Sequence, residues 1–371
     1  MSPRRKPTSF AQYLFLFVFL IFAALLSTYL GLNDRSPGGE AAVASPTAVA
    51  AEAGAAPIRV YFTDPYAPDA AQRSGSVDAD MVRSIDQAQR SIDLAVYNFS
   101  LDSVAEALLR AQQRGVPVRM VMESTALDNR VPQALQDAGL PILGDRREGL
   151  MHDKFMVIDG VEVWTGSMNL TGTGVYNDHN NMVQLFSTQI AQDYTHEFEE
   201  MFVDDHFGSN SVASDTPYPS VNLNGRQVEV YFSPDDGVLQ HLVALVAGAQ
   251  SSIDFLAYSF TADELADAMI ARAQAGVRVR GVMEDNQIES NQGTEFERLR
   301  QAGIPVYRDT LSGLMHHKVI VVDGQVVELG SYNYSASAES RNDENVMIVH
   351  DPQVAGQYTA EFERIFTRSS Q

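Results

Sequence analysis

The chain carries two copies of one sequence unit, and this duplication constrains its fold more than any other feature. The stretch "AQRSIDLAVYNFSLDSVAEALLRAQQRGVPVRMVMES" is echoed by "AQSSIDFLAYSFTADELADAMIARAQAGVRVRGVMED" further along the chain. In the first copy 22 residues separate Asp93 from Gly115, and the second copy keeps this spacing between Asp254 and Gly276. Each unit is about 140–150 residues long, which exceeds a solenoid repeat and is typical of a tandem domain pair.

Within each unit, apolar runs rich in β-forming residues alternate with helical patterns. The run "SIDLAVYNF" predicts a strand, and residues 102–115 carry apolar side chains at helical spacing before a glycine. The runs "HDKFMVID" and "VEVWTGS" predict two strands joined by a tight turn at Asp159 and Gly160. Strands that alternate with helices predict an α/β layered fold, and the hairpin favours a mixed sheet over a purely parallel one.

A short polar motif is kept in both copies. "MHDKFMVIDG" at 151–160 matches "MHHKVIVVDG" at 315–324, and two of the three lysines in the whole chain lie at equivalent positions in these segments. Because side chains alternate faces along a strand, the histidine and the lysine two residues later point to the same side. The motif residues are His152, Lys154 and Asp159 in the first copy and His316, Lys318 and Asp323 in the second.

Each motif is followed by Gly-Ser-x-Asn. The polar members of these segments are Ser167 and Asn169 in the first copy and Ser331 and Asn333 in the second. An ammonium group, an amide, a hydroxyl and an imidazole on one patch suit a tetrahedral anion, and imidazole also transfers protons near neutral pH. Two such patches would supply a nucleophile and a proton donor for displacement at a phosphodiester.

Metal and thiol chemistry are disfavoured by the sequence. The chain has no cysteine, which excludes a thiolate nucleophile and a disulfide framework. His316 and His317 are adjacent on a strand, so they face opposite ways and do not readily share one ion. We therefore expect no metal and no cofactor.

With these motifs the chain resembles the phospholipase D superfamily, whose mark is two His-x-Lys-x4-Asp segments, each followed by Gly-Ser-x-Asn. The resemblance implies two α-β-α sandwich domains with mixed sheets, related by a pseudo-twofold axis, with one active site at their interface. It implies a metal-independent mechanism in which one histidine attacks phosphorus to form a phosphohistidine. It also implies that His152 is the nucleophile and that His316 is the general acid and base.

The copies differ at one position behind the motif. Glu344 lies 28 residues after His316, whereas Asn180 lies 28 residues after His152. A carboxylate raises the pKa of an imidazole partner and an amide does not. We therefore expect Glu344 to be a catalytic residue that supports His316 as an imidazolium acid, with Asp178 as the alternative carboxylate for the first copy.

The chain begins with a segment typical of a membrane anchor. Basic residues precede an uncharged apolar run of membrane-spanning length, so we interpret residues 1–33 as an uncleaved transmembrane signal anchor and residues 34–57 as a flexible tether. A cleaved export signal is the alternative. The basic flank places the remainder of the chain on the extracytoplasmic side.

The remaining chain is interpreted as a first domain at 58–206, a linker at 207–226 and a second domain at 227–371. Because both motifs lie in one chain, this internal pair is expected to act as a monomer. Tyr332 and Tyr334 line either the substrate entrance or the core, and His179 and His206 have no partner pattern.

The net charge of −22 disfavours nucleic acid as a partner, because an acidic surface repels a phosphate backbone. We expect a phospholipid substrate, met at the membrane, whose head-group phosphodiester is hydrolysed. The alternatives are a nuclease of the same fold, a cardiolipin-synthase-like phosphatidyl transferase and a catalytically silent binding module.

Overall fold

Two mixed β-sheets, one from each sequence copy, form the centre of the molecule. The computed structural model describes residues 58–310 and 312–371, with the side chain of Asp69 excepted. The anchor predicted at 1–33 and the tether predicted at 34–57 lie outside the described residues. Among the described residues, no helix is both long enough and apolar enough to cross a membrane. The mixed-sheet α/β organisation predicted from the hairpin is confirmed.

The first sheet has seven strands in the order β1-β7-β6-β5-β2-β3-β4. Strands β2, β3 and β4 are parallel, whereas β5, β6, β7 and β1 pair with antiparallel neighbours. The strands are β1 Ile58–Phe62, β2 Ile92–Val96, β3 Val118–Met122, β4 Ile142–Gly144, β5 Lys154–Ile158, β6 Glu162–Gly166 and β7 Asn181–Phe186.

The second sheet repeats this topology and adds one edge strand, in the order β12-β11-β10-β13-β14-β15-β9-β8. Its strands are β8 Ser220–Leu223, β9 Arg226–Ser233, β10 Ser252–Ala257, β11 Arg278–Glu284, β12 Val306–Asp309, β13 Lys318–Val322, β14 Val326–Gly330 and β15 Glu344–His350. The extra strand β8 lies inside the segment interpreted as a linker, so that segment is not wholly a connection. Its run "SVNLNGR" alternates polar and apolar residues before an Asn-Gly turn, which is the pattern of a hairpin strand. The boundaries proposed at 206 and 227 stay predictions.

Helices cover the two sheets. They are α1 Pro68–Gln72, α2 Val77–Gln87, α3 Asp102–Gln113, α4 Arg130–Asp137, α5 Gly172–Tyr176, α6 Thr188–Phe202, α7 Val238–Ala247, α8 Asp263–Gln274, α9 Asp285–Ser290, α10 Phe296–Gln301, α11 Ala336–Ser340 and α12 Pro352–Ser369. Helix α6 packs on β2, β3, β5 and β6 and also contacts β9, whereas α12 packs on the second sheet and also contacts β1. Each of these two helices therefore joins its own sheet to a strand of the other copy.

Buried amides connect the copies at the level of the motifs. Asn345 Nδ2 donates to Asp153 Oδ1 at 2.7 Å, and Thr165 Oγ1 donates to Asn345 Oδ1 at 2.6 Å. In the equivalent place, Asn181 Nδ2 lies 3.0 Å from His317 Nδ1. One hydrophobic cluster also draws residues from both copies, so the two copies share a core. Burial of these amides with their partners fixes the relative position of the two motifs.

Gly281 tests how tightly the second sheet is packed. It pairs with Phe255 on the neighbouring strand, and a methyl group added at Gly281 would overlap the buried Phe255 ring. We expect Gly281→Ala to lower the free energy of unfolding by about 1–3 kcal/mol through overpacking. Gly356 lies exposed in α12 with open space around it, so Gly356→Ala should stabilise the chain by about 0.5–1 kcal/mol. Urea unfolding followed by circular dichroism compares the two variants, and equal effects would contradict the packing argument.

Candidate active site

The two motifs begin where the copies exchange main-chain hydrogen bonds. The N–H of His152 donates to the carbonyl of Asp343 at 3.0 Å, and the N–H of His316 donates to the carbonyl of His179 at 2.9 Å. Parallel bridges between Met151 and Asp343 and between His179 and Met315 extend these contacts. Each histidine is therefore held by the loop that precedes the last strand of the other copy.

The same crossing decides which group supports each imidazole. Glu344 Oε2 lies 2.7 Å from His152 Nδ1, whereas His316 Nδ1 lies 2.9 Å from Asn180 Oδ1 and 3.1 Å from the carbonyl of Ser167. The expectation that Glu344 supports His316 is wrong. Counting along the chain pairs a histidine with its own copy, but the pseudo-twofold packing brings in the residue of the other copy.

Asp178 was the alternative carboxylate expected to support the histidine of the first copy, and it does not take that role. Its Oδ1 accepts the N–H of Leu314 at 3.0 Å, in the segment just before His316. Burial raises the pKa of Asp178, and the hydrogen bond from Leu314 opposes that shift. Asp178 thus positions the loop that carries His316, and Asn180 is the residue in contact with the imidazole.

Both imidazoles are buried and favour the neutral form. Burial, together with the charges of Lys154 and Lys318, lowers the pKa of His152 well below its ordinary value. Burial and the same two lysines also lower the pKa of His316. Burial raises the pKa of Glu344 to about 7, although the lysines and its hydrogen bonds oppose that shift. The mutual influence of these groups shows that both motifs meet in one electrostatic site.

The two lysines occupy equivalent buried positions. Lys154 Nζ donates to the carbonyl of His152 at 2.6 Å, and Lys318 Nζ donates to the carbonyl of His316 at 2.8 Å. Burial lowers the pKa of Lys154 to about 8, against the opposing charges of Glu344 and Asp153. Burial and the neighbouring Lys154 lower the pKa of Lys318. Two ammonium groups brought together without solvent are a strong field for an anion.

The two motif aspartates lie away from this site. Asp159 follows β5, at the end opposite His152 and about 20 Å along the strand at 3.3 Å per residue. Its carboxylate accepts the N–H groups of residues 89–91, and Asp323 accepts those of residues 250–252 in the same way. The catalytic role predicted for Asp159 and Asp323 is therefore wrong, because they anchor the hairpin turn to the start of the neighbouring strand.

The serines and asparagines predicted to bind phosphate divide into two groups. Ser167 Oγ donates to Asn180 Oδ1 at 2.9 Å, and Ser331 Oγ accepts the N–H of Asn345 at 3.1 Å, so these fully buried hydroxyls position the groups behind the histidines. Asn169 and Asn333 are half-buried, and their Oδ1 atoms have no hydrogen-bond partner within the described residues. The phosphate-binding role of these two amides stays a prediction.

Two tyrosines that the sequence reasoning missed flank the histidines. The Tyr97 ring lies 4.8 Å from the His152 ring, and the Tyr258 ring lies 4.6 Å from the His316 ring. The ammonium groups of the two motif lysines lie over the same rings, at 5.2 Å and 4.6 Å. The repeated tyrosine in "SIDLAVYNF" and "SIDFLAYSF" was the signal that could have found them.

Tyr332 and Tyr334 belong to the core and do not line an entrance. Both are fully buried, and their hydroxyls donate to Glu339 at 2.9 Å and to Glu328 at 2.7 Å. Of the two alternatives left open for these residues, core packing is the one observed.

Comparison with known proteins identifies the family. A family model described as "Cardiolipin synthase, PLD-like domain" matches residues 81–202 and 242–366, more than half of the chain. The chain belongs to the phospholipase D-like family. The resemblance recognised from the two motifs is thereby confirmed.

Individual relatives in the family are similar over part of their length. A mitochondrial cardiolipin hydrolase from Xenopus tropicalis is 39% identical over 131 residues, which cover 35% of this chain and 62% of that protein. A phospholipase D from Rickettsia typhi is 33% identical over 141 residues, which cover 38% of this chain and 69% of that protein. The chain thus spans less than two thirds of the cardiolipin hydrolase.

A solved structure supports the two-copy fold. The phosphatidylserine synthase of Haemophilus influenzae Rd KW20 matches with a TM-score of 0.62 over 83% of this chain and 86% of that one. At 16% identity this likeness shows that both chains share the fold.

The structural role of Asp323 leads to a pH-dependent prediction. Burial opposes ionisation of this carboxyl, but the N–H groups and the Ser251 hydroxyl together lower its pKa below the ordinary 3.8. A lowered pKa means that Asp323 stabilises the fold above its unfolded-state pKa and that this contribution is lost as the pH falls through the folded-state pKa. We expect Asp323→Ala to cost about 1–2 kcal/mol at neutral pH, with the difference from wild type shrinking in acid.

Urea unfolding of both proteins across acid and neutral pH measures this difference. Asp323→Asn is the matched control, because it keeps one acceptor oxygen and should lose less stability. The catalytic rate of the folded Asp323→Ala variant should equal that of the wild type. A tenfold loss of catalytic rate without a loss of stability would show that Asp323 has a catalytic role.

Proposed function

We propose that the chain is a phospholipase D-type phosphodiesterase that hydrolyses the head-group phosphodiester of a phospholipid through a phosphohistidine on His152. The observation that carries this proposal is the unequal support of the two imidazoles. A carboxylate contacts one of them and an amide contacts the other. A double displacement needs one nucleophile and one proton carrier, and these two roles require different surroundings for the two histidines.

The pairing with Glu344 suits His152 to nucleophilic attack. A carboxylate that holds the proton at Nδ1 leaves the lone pair of Nε2 free, and it stabilises the positive charge that the ring acquires on phosphorylation. In the first step the Nε2–P bond forms and the bond from phosphorus to the head-group oxygen breaks. The ammonium groups of Lys154 and Lys318 lie where they would stabilise the negative charge on the phosphoryl oxygens.

The amide behind His316 suits it to proton transfer. Asn180 Oδ1 accepts from Nδ1 without fixing a full charge, so the ring can gain and lose a proton at Nε2. A bound phosphodiester anion offsets the lysine charges that lower the pKa of His316, which favours its acid form. In the first step this imidazolium donates its Nε2 proton to the head-group oxygen as that oxygen leaves phosphorus. In the second step His316 takes a proton from water, oxygen attacks phosphorus and the Nε2–P bond to His152 breaks.

The choice of a lipid rests on charge and on the names of the relatives. The net charge of −22 repels a long polyanion, and the similar proteins include a cardiolipin hydrolase and a phospholipase D. The segment at 1–33 would act as an anchor that keeps the domains at an extracytoplasmic membrane surface. A phosphodiester within a bilayer would then stay within reach of the site.

A parallel substrate assay tests the function. The full chain, purified in detergent, is given labelled phosphatidylcholine, cardiolipin and single-stranded DNA, with His152→Ala as the control. We expect release of the head-group alcohol from lipid and a loss of at least about 10³-fold in the His152 variant. Cleavage of DNA alone would favour the nuclease, and net transfer to a lipid alcohol without hydrolysis would favour the transferase. Activity that survives in the His152 variant would overturn the mechanism.

The division of labour is tested with an activated diester whose leaving group is nitrophenolate, because such a group departs without an acid. His316→Ala should still release nitrophenolate and should accumulate a phosphohistidine on His152, since the activation of water is lost. Release in the wild type should rise with pH through about 7 as Glu344 ionises, and Glu344→Gln should remove this rise and slow release about 10²-fold.

Mass spectrometry of acid-labile phosphate, with peptide mapping, locates the intermediate. Asn180→Asp is the matched control, because it alters the group behind His316 and should leave the pH dependence of nitrophenolate release unchanged. Phosphate found on His316 would show that His316 is the nucleophile and that His152 is the proton carrier.

A further inference from the structure

A partly buried ion network, built mainly from the second copy, lies beneath the second motif. Arg364 contacts Glu361 at 2.6 Å and Asp64 at 3.2 Å, and His317 Nε2 lies 3.3 Å from Glu361. Arg364 also lies 3.1 Å from the Nδ1 atom of His179. Both carboxylates are thus paired with a basic group, as buried charges require, while His179 Nε2 has no hydrogen-bond partner among the described residues.

The equivalent positions beneath the first motif are all acidic. The two copies are offset by the 164 positions that separate His152 from His316. At this offset His317, Glu361, Arg364 and His179 correspond to Asp153, Glu197, Glu200 and Asp343. Asp64 follows β1, and Asp235 takes its place in the turn after β9. We call Asp153, Glu197, Glu200, Asp235 and Asp343 the acid cluster.

The acid cluster contains buried carboxylate oxygens without partners. Asp153 is 0% exposed and its Oδ2 has no hydrogen-bond partner among the described residues, and the same holds for Oε2 of Glu200, which is 5% exposed. Neither oxygen of Asp235 has a partner in that part of the chain. Asp193, 1% exposed and near the cluster, leaves its Oδ2 unpaired as well. An orphaned buried carboxylate is costly, so several together point to a missing positive charge.

The pKa values of the equivalent carboxyls Glu361 and Glu197 are shifted in opposite directions. Burial opposes ionisation of Glu361, but its bonds with His317 and Arg364 lower its pKa to about 2. Burial, then the charges of Asp235, Asp153, Glu200 and Asp343, raise the pKa of the equivalent Glu197.

The basic groups near the acid cluster lie at its rim. His206 Nδ1 is 3.8 Å from Glu200 Oε1, and His196 pairs with Asp215 at 2.8 Å. Both imidazoles are more than two-fifths exposed, whereas the Arg364 side chain of the other network is one-quarter exposed, so these imidazoles do not take its place. Lys154 acts on Asp153 from the motif side, where it already bonds the carbonyl of His152.

The chemistry of the acid cluster selects the missing charge. Its donors are oxygen atoms only, which suits a hard cation, and Ca²⁺ accepts six to eight oxygens in flexible geometry with water among them. Within the described ranges no three acidic or histidine side chains already converge as a metal site, so water and small side-chain movements must complete the shell. A cavity of about 150 Å³ beside Asp343 is lined by the acidic side chains of Asp145 and Glu148 and by the exposed basic side chains of Arg147 and Arg341.

We propose that the acid cluster binds Ca²⁺, which takes the place that Arg364 holds in the second copy. The carboxylates come from the residue before β5, from α6, from the turn after β9 and from the loop before β15, so the ion would join both copies. Asp153 adjoins His152 and Asp343 adjoins Glu344, so the ion would also position the nucleophile and its carboxylate. The binding of Ca²⁺ does not depend on the proposed function. Only the effect of the ion on the rate of phosphodiester cleavage rests on that function.

Thermal unfolding of the full chain tests the binding without any substrate. The protein is stripped with EDTA, dialysed and unfolded with and without millimolar CaCl₂, and the affinity is measured by isothermal titration. We expect Tm to rise by about 5 °C at a concentration of about 100 Kd. An absent shift, or an equal shift with MgCl₂ or NaCl at matched ionic strength, would overturn the calcium assignment.

Matched variants separate the acid cluster from general effects of charge. Asp153→His with Glu200→Arg builds the arrangement of the second copy into the first, and it should raise Tm in EDTA and abolish the response to Ca²⁺. Glu361→Gln changes the second copy and should lower Tm while it leaves the calcium-induced shift intact. If the double variant does not fold, Glu197→Gln should weaken the calcium affinity at least about tenfold. A full response in either acid-cluster variant would contradict the site.

Failure of this proposal and failure of the proposed function are distinguishable. A calcium-induced shift in a protein that cleaves no phosphodiester would keep the ion site and reject the function. Phosphodiester cleavage with no calcium-induced shift would keep the function and reject the ion site.

Discussion

The exchange of hydrogen bonds between the two copies is the constraint on which the site depends. Each motif histidine uses its main-chain N–H and its Nδ1 atom to contact the other copy, so neither motif is complete alone. The Asn345 and Asn181 amides repeat this exchange one residue further along the strands. A geometry held by both copies leaves little freedom for either imidazole, as preorganisation for the proposed phosphoryl transfer would require.

Duplication has also allowed the two copies to diverge in charge. The carboxylate of Glu344 faces the amide of Asn180 across the pseudo-twofold axis, and the acids beneath the first motif face a mixed ion network beneath the second. The seven strands of the first sheet recur in the same order in the second, so both places lie on the same sheet topology. Differences in function between the copies therefore depend on single side chains carried by one shared scaffold.

The fold was largely predictable because its signals are local. Strand and helix periods, the Asp159-Gly160 turn and equal spacings in both copies follow from short stretches of sequence, and both turn residues have the positive φ that this turn needs. The partner of His152 was not predictable, because position along the chain does not reveal which copy supplies a neighbour in space. The role of Asp159 was misread for a related reason: a motif was treated as one site, although an extended strand separates its ends.

Burial of the two lysines and two histidines gives the site its selectivity. Both lysines are 3% exposed or less, and in the folded chain they lie close enough to lower each other's pKa or that of the imidazoles. Such a group of bases is unfavourable without a counter-ion, since desolvation and mutual repulsion act together. A phosphodiester anion relieves both costs when it enters, whereas a neutral ester relieves neither. The proposed preference for an anionic phosphorus centre would therefore follow from the cost of the free site.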